Sequence, residues 1–250
     1  MKFFIQTGGG AGDMIKHYFW GHFGWQYLNE IKKKYPNSII KLFTTCCNLS
    51  AQDLFDEIPN INEYEHLPWI NPNLPWEHKE KYIKGYIPLS HAPQKLNIKL
   101  TPNIPKRLPI TKEEEDFILQ QNFGNKYIVM HPFAGDRIRQ YLSLEQYFTI
   151  AKKAIKDTGC NIVVLGGSSS RVIGKTSREI KEEFPFKHNN IINLVNKTNL
   201  RTSIEITRRA SLMIGNNSCL FCVRLAQKTP AQVFDTKQRA KNFMNIKWTT

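Results

Sequence analysis

The chain has 250 residues, 41% of them hydrophobic and 22% charged, which is typical of a globular protein with a core large enough for one or two domains. No run reaches the ~20 consecutive apolar residues that a transmembrane helix needs, and the apolar run at the N-terminus is too short for a signal peptide, so we expect a cytoplasmic protein. The net charge of +14 favours anionic ligands, but the basic residues are spread along the chain without the stacking aromatics of an RNA-binding module.

The first part of the chain alternates between strand and helix signals. Short apolar runs predict three strands, and the stretches between them predict two helices. This βαβαβ order indicates a compact Rossmann-like half. In chain order the predicted elements are a strand at Lys2–Thr7, a glycine turn at Gly8–Asp13, a helix from about Asp13 to Lys34, a strand at Ser38–Thr44, a helix at Ser50–Glu57 and a strand at Ile61–Leu67.

Prolines interrupt the stretch from Pro68 to Pro109, so no long helix is predicted there. The aromatic residues of this stretch have two interpretations, local packing or a surface that faces an acceptor; they are Trp69, Trp76, Tyr82 and Tyr86. A helix is predicted at Thr111–Gln121, because Thr111 can cap it and acidic residues follow in its first turn. This helix would lead into the second half of the chain.

The second half keeps one rhythm of β-branched runs and helix-length amphipathic stretches. Such alternation predicts βα units and a parallel sheet, whose ligands bind at the carboxyl ends of the strands. We therefore predict two domains, residues 1–110 and residues 111–250, with a ligand cleft between them. The predicted strands of the second half are Tyr127–Met130, Asn161–Leu165, Asn190–Leu194, Leu212–Ile214 and Ala231–Phe234.

Polar residues stand at two predicted helix starts. Asp13, at the end of the glycine turn, is most simply the N-cap of the helix that follows it. Asn217 and Ser218 are candidate caps of a helix that runs through Leu225. A helix N-terminus carries unpaired amides and a partial positive charge, so the same position also suits a diphosphate group.

Five loop motifs occur in an order that resembles one known family. They resemble those of glycosyltransferase family 9, the lipopolysaccharide heptosyltransferases. The resemblance implies a GT-B-like α/β fold of two facing Rossmann-like domains with parallel sheets, here with a reduced N-terminal domain. The motifs are Gly10-x-Gly12-Asp13, His131-Pro132-x-Ala134-Gly135, Leu165-Gly166-Gly167, Asn193-Leu194-x-x-Lys197-Thr198 and Gly215-Asn216-Asn217-Ser218.

The resemblance also implies roles for individual residues. Asp13 would be the general base that takes the proton of an acceptor hydroxyl. Either Arg137 or Arg139 would contact phosphate, since a guanidinium can hold it through two parallel hydrogen bonds. The whole set implied to bind the donor is Gly10, Gly12, Gly135, Arg137, Arg139, Ser170, Lys197, Thr198, Asn217, Ser218 and Cys219.

The chain departs from the family pattern at four of its loop positions. Asn217 replaces an Asp, Cys219 replaces a Gly and Cys222 replaces a His. Ser170 stands near a position where the family commonly has an acid suited to holding ribose hydroxyls. These departures motivate an alternative function, a degenerate relative that binds nucleotide or glycan without transferring a sugar.

The leading expectation is an inverting glycosyltransferase that moves heptose or a related sugar from a nucleotide-diphospho-sugar to a glycan or lipid-linked glycan. No cofactor or metal is expected, because no D-x-D-like acidic motif is evident and Cys219-x-x-Cys222 lacks the second ligand pair of a zinc site. An anionic membrane surface is a further candidate partner, which would place the protein at the inner face of a membrane. Nucleic acid is not expected, although the charge of +14 is compatible with it.

Overall fold

The structure is a computed structural model that describes residues 1–7, 25–44, 61–66, 87–88, 96–97, 110–133, 141–167, 169–173, 176–180, 182–234 and 248. Its contacts group the chain into two units. The first unit comprises Met1–Pro109 and Ser169–Ile180, and the second comprises Ile110–Ser168 and Lys181–Thr250. The segment Ser169–Ile180 thus groups with the first unit, although it lies within residues 111–250.

The helices and strands of the described residues follow the predicted alternation. Each predicted helix or strand that falls on described residues has a counterpart, and the bounds differ by a few residues at most, except for the first helix, which is described only from Trp25. In chain order the elements are β1 (Lys2–Thr7), α1 (Trp25–Lys34), β2 (Ile39–Thr44), β3 (Glu63–His66), β4 (Ile87–Pro88), α2 (Lys112–Gln120), β5 (Tyr127–His131), α3 (Leu144–Thr158), β6 (Asn161–Val164), β7 (Ser169–Ile173), β8 (Thr176–Ile180), β9 (Ile191–Asn193), α4 (Leu200–Arg209), β10 (Leu212–Gly215), α5 (Cys219–Ala226) and β11 (Ala231–Val233).

The first unit contains a four-stranded parallel sheet in the order β3-β2-β1-β4. Phe3 of β1 and Ile40 of β2 are register partners, and both are buried. Helix α1 buries Leu28 and Ile31, which are three residues apart and therefore share one helix face. The three strands predicted for this half are confirmed.

The second unit contains a five-stranded parallel sheet in the order β11-β10-β5-β6-β9. Its central strands β5, β6 and β10 are buried nearly throughout, as expected for a parallel sheet covered on both faces. Helix α3 adds a buried stripe to the same core at the spacing of an amphipathic helix: Tyr147, Ile150, Ala151 and Ala154. Each fully buried aliphatic side chain stabilises the fold by roughly 2 kcal/mol.

Two helices of the second unit begin with a reciprocal cap. At α2 the Thr111 hydroxyl accepts the N–H of Glu114 at 3.2 Å, and the Glu114 carboxylate accepts the N–H of Thr111 at 2.8 Å. Ser143 and Gln146 form the same arrangement at α3, which ends at Gly159 in the left-handed region with φ +70°. The predicted cap by Thr111 is confirmed.

Strands β7 and β8 form an antiparallel hairpin that the sequence analysis does not predict. Their residues are mostly polar, so the apolar runs that identified the other strands are missing here. The predicted helix at Ser50–Glu57 and the first turns of the predicted helix from Asp13 lie outside the described residues. Among the helices that are described, none is long and apolar enough to cross a membrane.

Candidate functional site

The candidate site lies at the carboxyl edge of the five-stranded sheet. Because all its strands are parallel, the loops that follow β5, β6, β9 and β10 leave the sheet at the same edge. These loops hold four of the five family-like motifs. The sheet therefore brings together segments that are up to about eighty residues apart in the sequence.

The loop after β10 is fastened to the loop after β5. Gly215 is the register partner of His131, and a Cβ atom at Gly215 would collide with the carbonyl oxygen of His131. The next residue, Asn216, is fully buried. Its backbone N–H donates to the His131 carbonyl at 3.2 Å and its Nδ2 donates to the Pro132 carbonyl at 2.8 Å. These bonds fix where α5 begins.

Helix α5 begins at this edge without a side-chain cap. Ser218 occupies the N-cap position with extended backbone, but its hydroxyl makes no capping hydrogen bond. No acidic residue lies in the first turn of the helix. Of the two candidate caps, Asn217 and Ser218, it is Ser218 that occupies the N-cap position, without the expected side-chain bond. Within the described residues, the first turn of α5 therefore supplies no negative charge to the positive end of its helix dipole.

Three buried polar atoms at this edge have no hydrogen-bond partner in the part of the chain that is described: Nδ1 of His131, Oδ1 of Asn216 and Oγ of Ser218. An unpaired buried polar atom costs about 1–3 kcal/mol, so native proteins rarely hold several together without a reason. Burial lowers the pKa of His131 to about 4, so its imidazole is neutral at neutral pH. The cluster could therefore hydrogen-bond a polar ligand without changing its own charge.

Glu182 is a site residue that the sequence analysis missed. Its Oε2 accepts the backbone N–H of Gly167 at 2.8 Å, directly after β6. A Cβ atom at Gly166 would lie 2.7 Å from the same oxygen, so the glycine allows the carboxylate to approach. The backbone carbonyl of Glu182 accepts a hydrogen bond from Nδ2 of Asn196 at 2.7 Å, which ties Glu182 to the loop after β9. Burial raises the pKa of Glu182 to about 7.

The sequence contains one signal that points to Glu182, but at an unexpected distance. The family pattern commonly has an acid shortly after the Gly-Gly pair, near the position where this chain has Ser170. Ser170 lies in β7, opposite Glu179 of β8. The hairpin separates Gly167 from Glu182 in sequence, whereas the hydrogen bond joins them in space.

Lys197 and Thr198 lie in the turn after β9. The N–H of Lys197 donates to the Leu194 carbonyl at 3.0 Å, and its side chain is exposed. By default this pair would be a loop cation followed by a helix cap, but Thr198 does not cap α4. The cap is Asn199, whose Oδ1 accepts the N–H of Thr202 at 2.7 Å, and α4 begins at Leu200. The Thr198 hydroxyl instead pairs with that of Ser203 at 2.8 Å.

Cys219 of α5 is a protonated thiol at neutral pH. Burial, followed by the nearby Cys222, raises the pKa of Cys219 to about 12. The Cys222 thiol is buried and donates to the Ser218 carbonyl at 3.6 Å. Among the residues with described positions, no three His, Cys, Asp or Glu side chains are grouped so as to hold a metal ion.

Part of the predicted site lies outside the described residues. It comprises the implied base and the glycines and arginines of two loops: Asp13, Gly10, Gly12, Gly135, Arg137 and Arg139. Their roles stay predictions. Of the remaining predicted residues, Lys197, Thr198, Asn217, Ser218 and Cys219 all lie in loops or at a helix start on the carboxyl edge.

The family model described as Glycosyltransferase family 9 (heptosyltransferase) matches residues 73–232, well over half of the chain. The matched range excludes the glycine turn with Asp13 and includes much of the proline-rich stretch. No curated protein matches the chain by sequence.

Solved structures of this family share the fold. A glycosyl transferase family 9 protein from Veillonella parvula is 12% identical, with a TM-score of 0.60 over 94% of this chain and 82% of that one. The E. coli ADP-heptose LPS heptosyltransferase II is 14% identical, with a TM-score of 0.56 over 93% and 84%. E. coli heptosyltransferase WaaC with ADP is 9% identical, with a TM-score of 0.55 over 93% and 86%. The predicted GT-B-like α/β fold class is confirmed, and the chain belongs to glycosyltransferase family 9.

Proposed function

We propose that this protein transfers heptose or a related sugar, with inversion, from a nucleotide-diphospho-sugar to a hydroxyl group of a glycan or lipid-linked glycan. The observation that carries the proposal is the group of unpartnered buried atoms on His131, Asn216 and Ser218 beside the uncapped start of α5. A diphosphate would receive hydrogen bonds from the helix amides and the Ser218 hydroxyl there. Two relatives support an ADP-linked donor, since their names mention ADP-heptose and ADP.

The proposed donor complex uses the other loops of the same edge. Lys197, with Arg137 or Arg139, would stabilise the negative charge that develops on the departing diphosphate. Glu182 would accept hydrogen bonds from the ribose hydroxyls, in place of the acid that is missing near Ser170. Its carboxylate lies beside Gly167, where a ligand can approach the backbone closely.

The proposed reaction forms one bond and breaks one. The oxygen of the acceptor hydroxyl bonds to the anomeric carbon, and the bond from that carbon to the diphosphate oxygen breaks. Attack from the opposite face inverts the configuration. Asp13 receives the proton of the hydroxyl, and the nucleoside diphosphate leaves with the electron pair. No metal or cofactor is part of this proposal.

Donor binding is tested by thermal-shift screening of ADP-, UDP-, GDP- and CDP-linked sugars. A ligand that binds only the folded protein raises the melting temperature, and the ADP-linked sugar is expected to raise it most. If none of the four raises the melting temperature, the proposed donor class is wrong.

The base role is tested with Asp13→Asn. We expect turnover to fall by about 10²–10⁴-fold, while the donor-induced shift in melting temperature is unchanged. Full turnover in this variant would exclude Asp13 as the base.

A protein that binds donor but shows no turnover even before mutation would favour the second candidate function, binding without transfer. The specific observation that favours it is Cys219, whose side chain stands at the first residue of α5 where the family has glycine.

A further inference from the structure

Arg224 of α5 is a buried cation that has no carboxylate partner within the described part of the chain. Its side chain is 1% exposed. All five of its N–H groups donate to backbone carbonyl oxygens. Nε donates to Pro230 at 3.1 Å, Nη1 to Thr207 at 3.1 Å and Ala210 at 2.7 Å, and Nη2 to Ser211 at 3.1 Å and Pro230 at 3.0 Å.

These hydrogen bonds join three elements of the second unit. The carbonyls of Thr207, Ala210 and Ser211 lie at or just after the C-terminal end of α4, where the helix dipole is negative. Pro230 lies directly before β11. Arg224 thus ties α5 to the end of α4 and to the entry of β11. Burial lowers the pKa of Arg224 to about 10, so it remains a cation at neutral pH.

Helix α5 needs such an anchor because its own start is weak. It has only eight residues, and a helix this short is marginal in isolation. Ser218 gives it no capping bond, and the first turn contains no acid. The unpartnered atoms of Asn216 and Ser218 lie at the same end. The N-terminal end of α5, which would meet a ligand, is therefore left open. The polar anchor is Arg224, five residues after the first residue of the helix.

We propose that Arg224 is a positioning residue that holds the start of α5 in place for the diphosphate of the donor. The fork of Arg224 replaces the side-chain cap, so the helix amides stay available to ligand. This inference rests on the proposed function of the loop after β10. It differs from a purely structural role because it concerns donor binding specifically and not stability in general.

The test compares Arg224→Lys with Ile150→Val. Lysine keeps the charge but loses the planar fork of five donors. Ile150 is a core residue of α3, so its replacement by valine lowers stability without changing a residue of the site. We expect Arg224→Lys to raise the KM for the nucleotide-diphospho-sugar about tenfold while kcat changes less than about twofold. Ile150→Val, compared at a temperature equally far below its own melting temperature, should leave both values unchanged. Equal effects of the two variants on the donor KM would overturn the inference.

A second measurement needs no variant. Hydrogen exchange of the wild-type protein should show the last turn of α5 equally protected with and without ADP-linked sugar, because Arg224 already fixes it. Only the amides near Ser218 should gain protection on binding, by about tenfold or more. A gain along the whole helix would show that the donor orders it, which contradicts the inference. If the wild-type protein binds none of the nucleotide-diphospho-sugars, the proposed function fails. The Arg224 inference has its own test in that case, because fast hydrogen exchange along the whole of α5 in the free protein would contradict it.

Discussion

Glu182 carries a carboxyl group that changes its protonation state near neutral pH, because burial raises its pKa to about 7. The N–H of Gly167 opposes this effect by favouring the carboxylate. The folded protein therefore binds more protons than the unfolded chain between the ordinary value of 4.5 and about 7. In this window Glu182 lowers the free energy of unfolding as the pH rises. A carboxyl group whose pKa is strongly shifted, at the edge of a sheet, is typical of a functional site.

The donor affinity is expected to increase with pH around the pKa of Glu182. Ribose hydroxyls that donate to the carboxylate favour its ionised form, so binding should tighten by up to about tenfold between pH 6 and pH 8. Titration calorimetry with the ADP-linked sugar at several pH values measures this change. Glu182→Gln should bind more weakly at pH 8 and should flatten the profile. Glu183→Gln, at the exposed neighbouring position, is the matched control and should retain the slope.

A variant profile as steep as that of the wild-type protein would show that another group causes the pH dependence. His131 is another described group of this site with a pKa shifted by burial, but its pKa of about 4 lies below the window. Cys219, with a pKa of about 12, lies above it. The assignment to Glu182 can therefore be tested with a single substitution.

Helices α2 and α4 are joined through Glu114, which also closes the cap of α2. Oε1 of Glu114 accepts Nδ2 of Asn199 at 2.7 Å, and Nε of Arg201 lies 3.0 Å and 2.9 Å from its two oxygens. Oε2 also accepts the N–H of Thr111 at 2.8 Å. Asn199 caps α4 two residues after Lys197, so one carboxylate fixes the start of two helices and the end of the Lys197 loop.

Glu114→Gln is expected to lower the free energy of unfolding by about 2 kcal/mol at pH 7, because it removes the carboxylate charge that pairs with the buried guanidinium of Arg201. Burial opposes ionisation of Glu114, but the bonds from Arg201, Asn199 and Thr111 outweigh it and hold the pKa below 4.5. Its contribution is therefore present above pH 4.5 and is lost as the pH falls through the lowered pKa.

Urea denaturation at several pH values measures this contribution. The difference between Glu114→Gln and the wild-type protein should shrink as the pH falls below 4.5. Asp116→Asn, an exposed acid of the same helix, is the control and should change stability by less than about 0.5 kcal/mol. A difference that persists unchanged in acid would mean that the helix joint does not depend on the charge of Glu114.

The elements that the sequence predicts well are those with a local cause. The β-branched runs of β5, β6 and β10 and the signature of Thr111 and Glu114 three residues apart are readable from short windows. The helix α4 begins at Leu200, but Thr198 and Asn199 are both good caps, so a short window does not show which of them makes the capping bond. Glu182 was missed because a polar hairpin separates it from Gly167, and pairing across such a distance leaves no local pattern.

At the scale of the whole molecule, the charge is far from balanced. The chain has 35 Lys and Arg residues against 21 Asp and Glu residues. In the described part, acids are also held in internal ion pairs, such as Glu205 with Arg208 and Arg209. A net charge of +14 creates a positive potential that attracts anionic partners at low ionic strength. An anionic membrane surface, on which the proposed lipid-linked acceptor would be presented, is one such partner.

The protein is expected to bind anionic lipid vesicles and not neutral ones, because the attraction is electrostatic and long-ranged. Co-sedimentation with vesicles that contain about 30% anionic lipid should recover most of the protein at about 50 mM salt and little of it at about 500 mM salt, where the Debye length falls to a few Å. Vesicles of zwitterionic lipid alone are the control at both salt concentrations. Retention on anionic vesicles at high salt would point to burial of apolar groups instead of charge. Equal recovery with neutral vesicles at low salt would contradict the role of the net charge, and the proposal of an anionic membrane partner would then be abandoned.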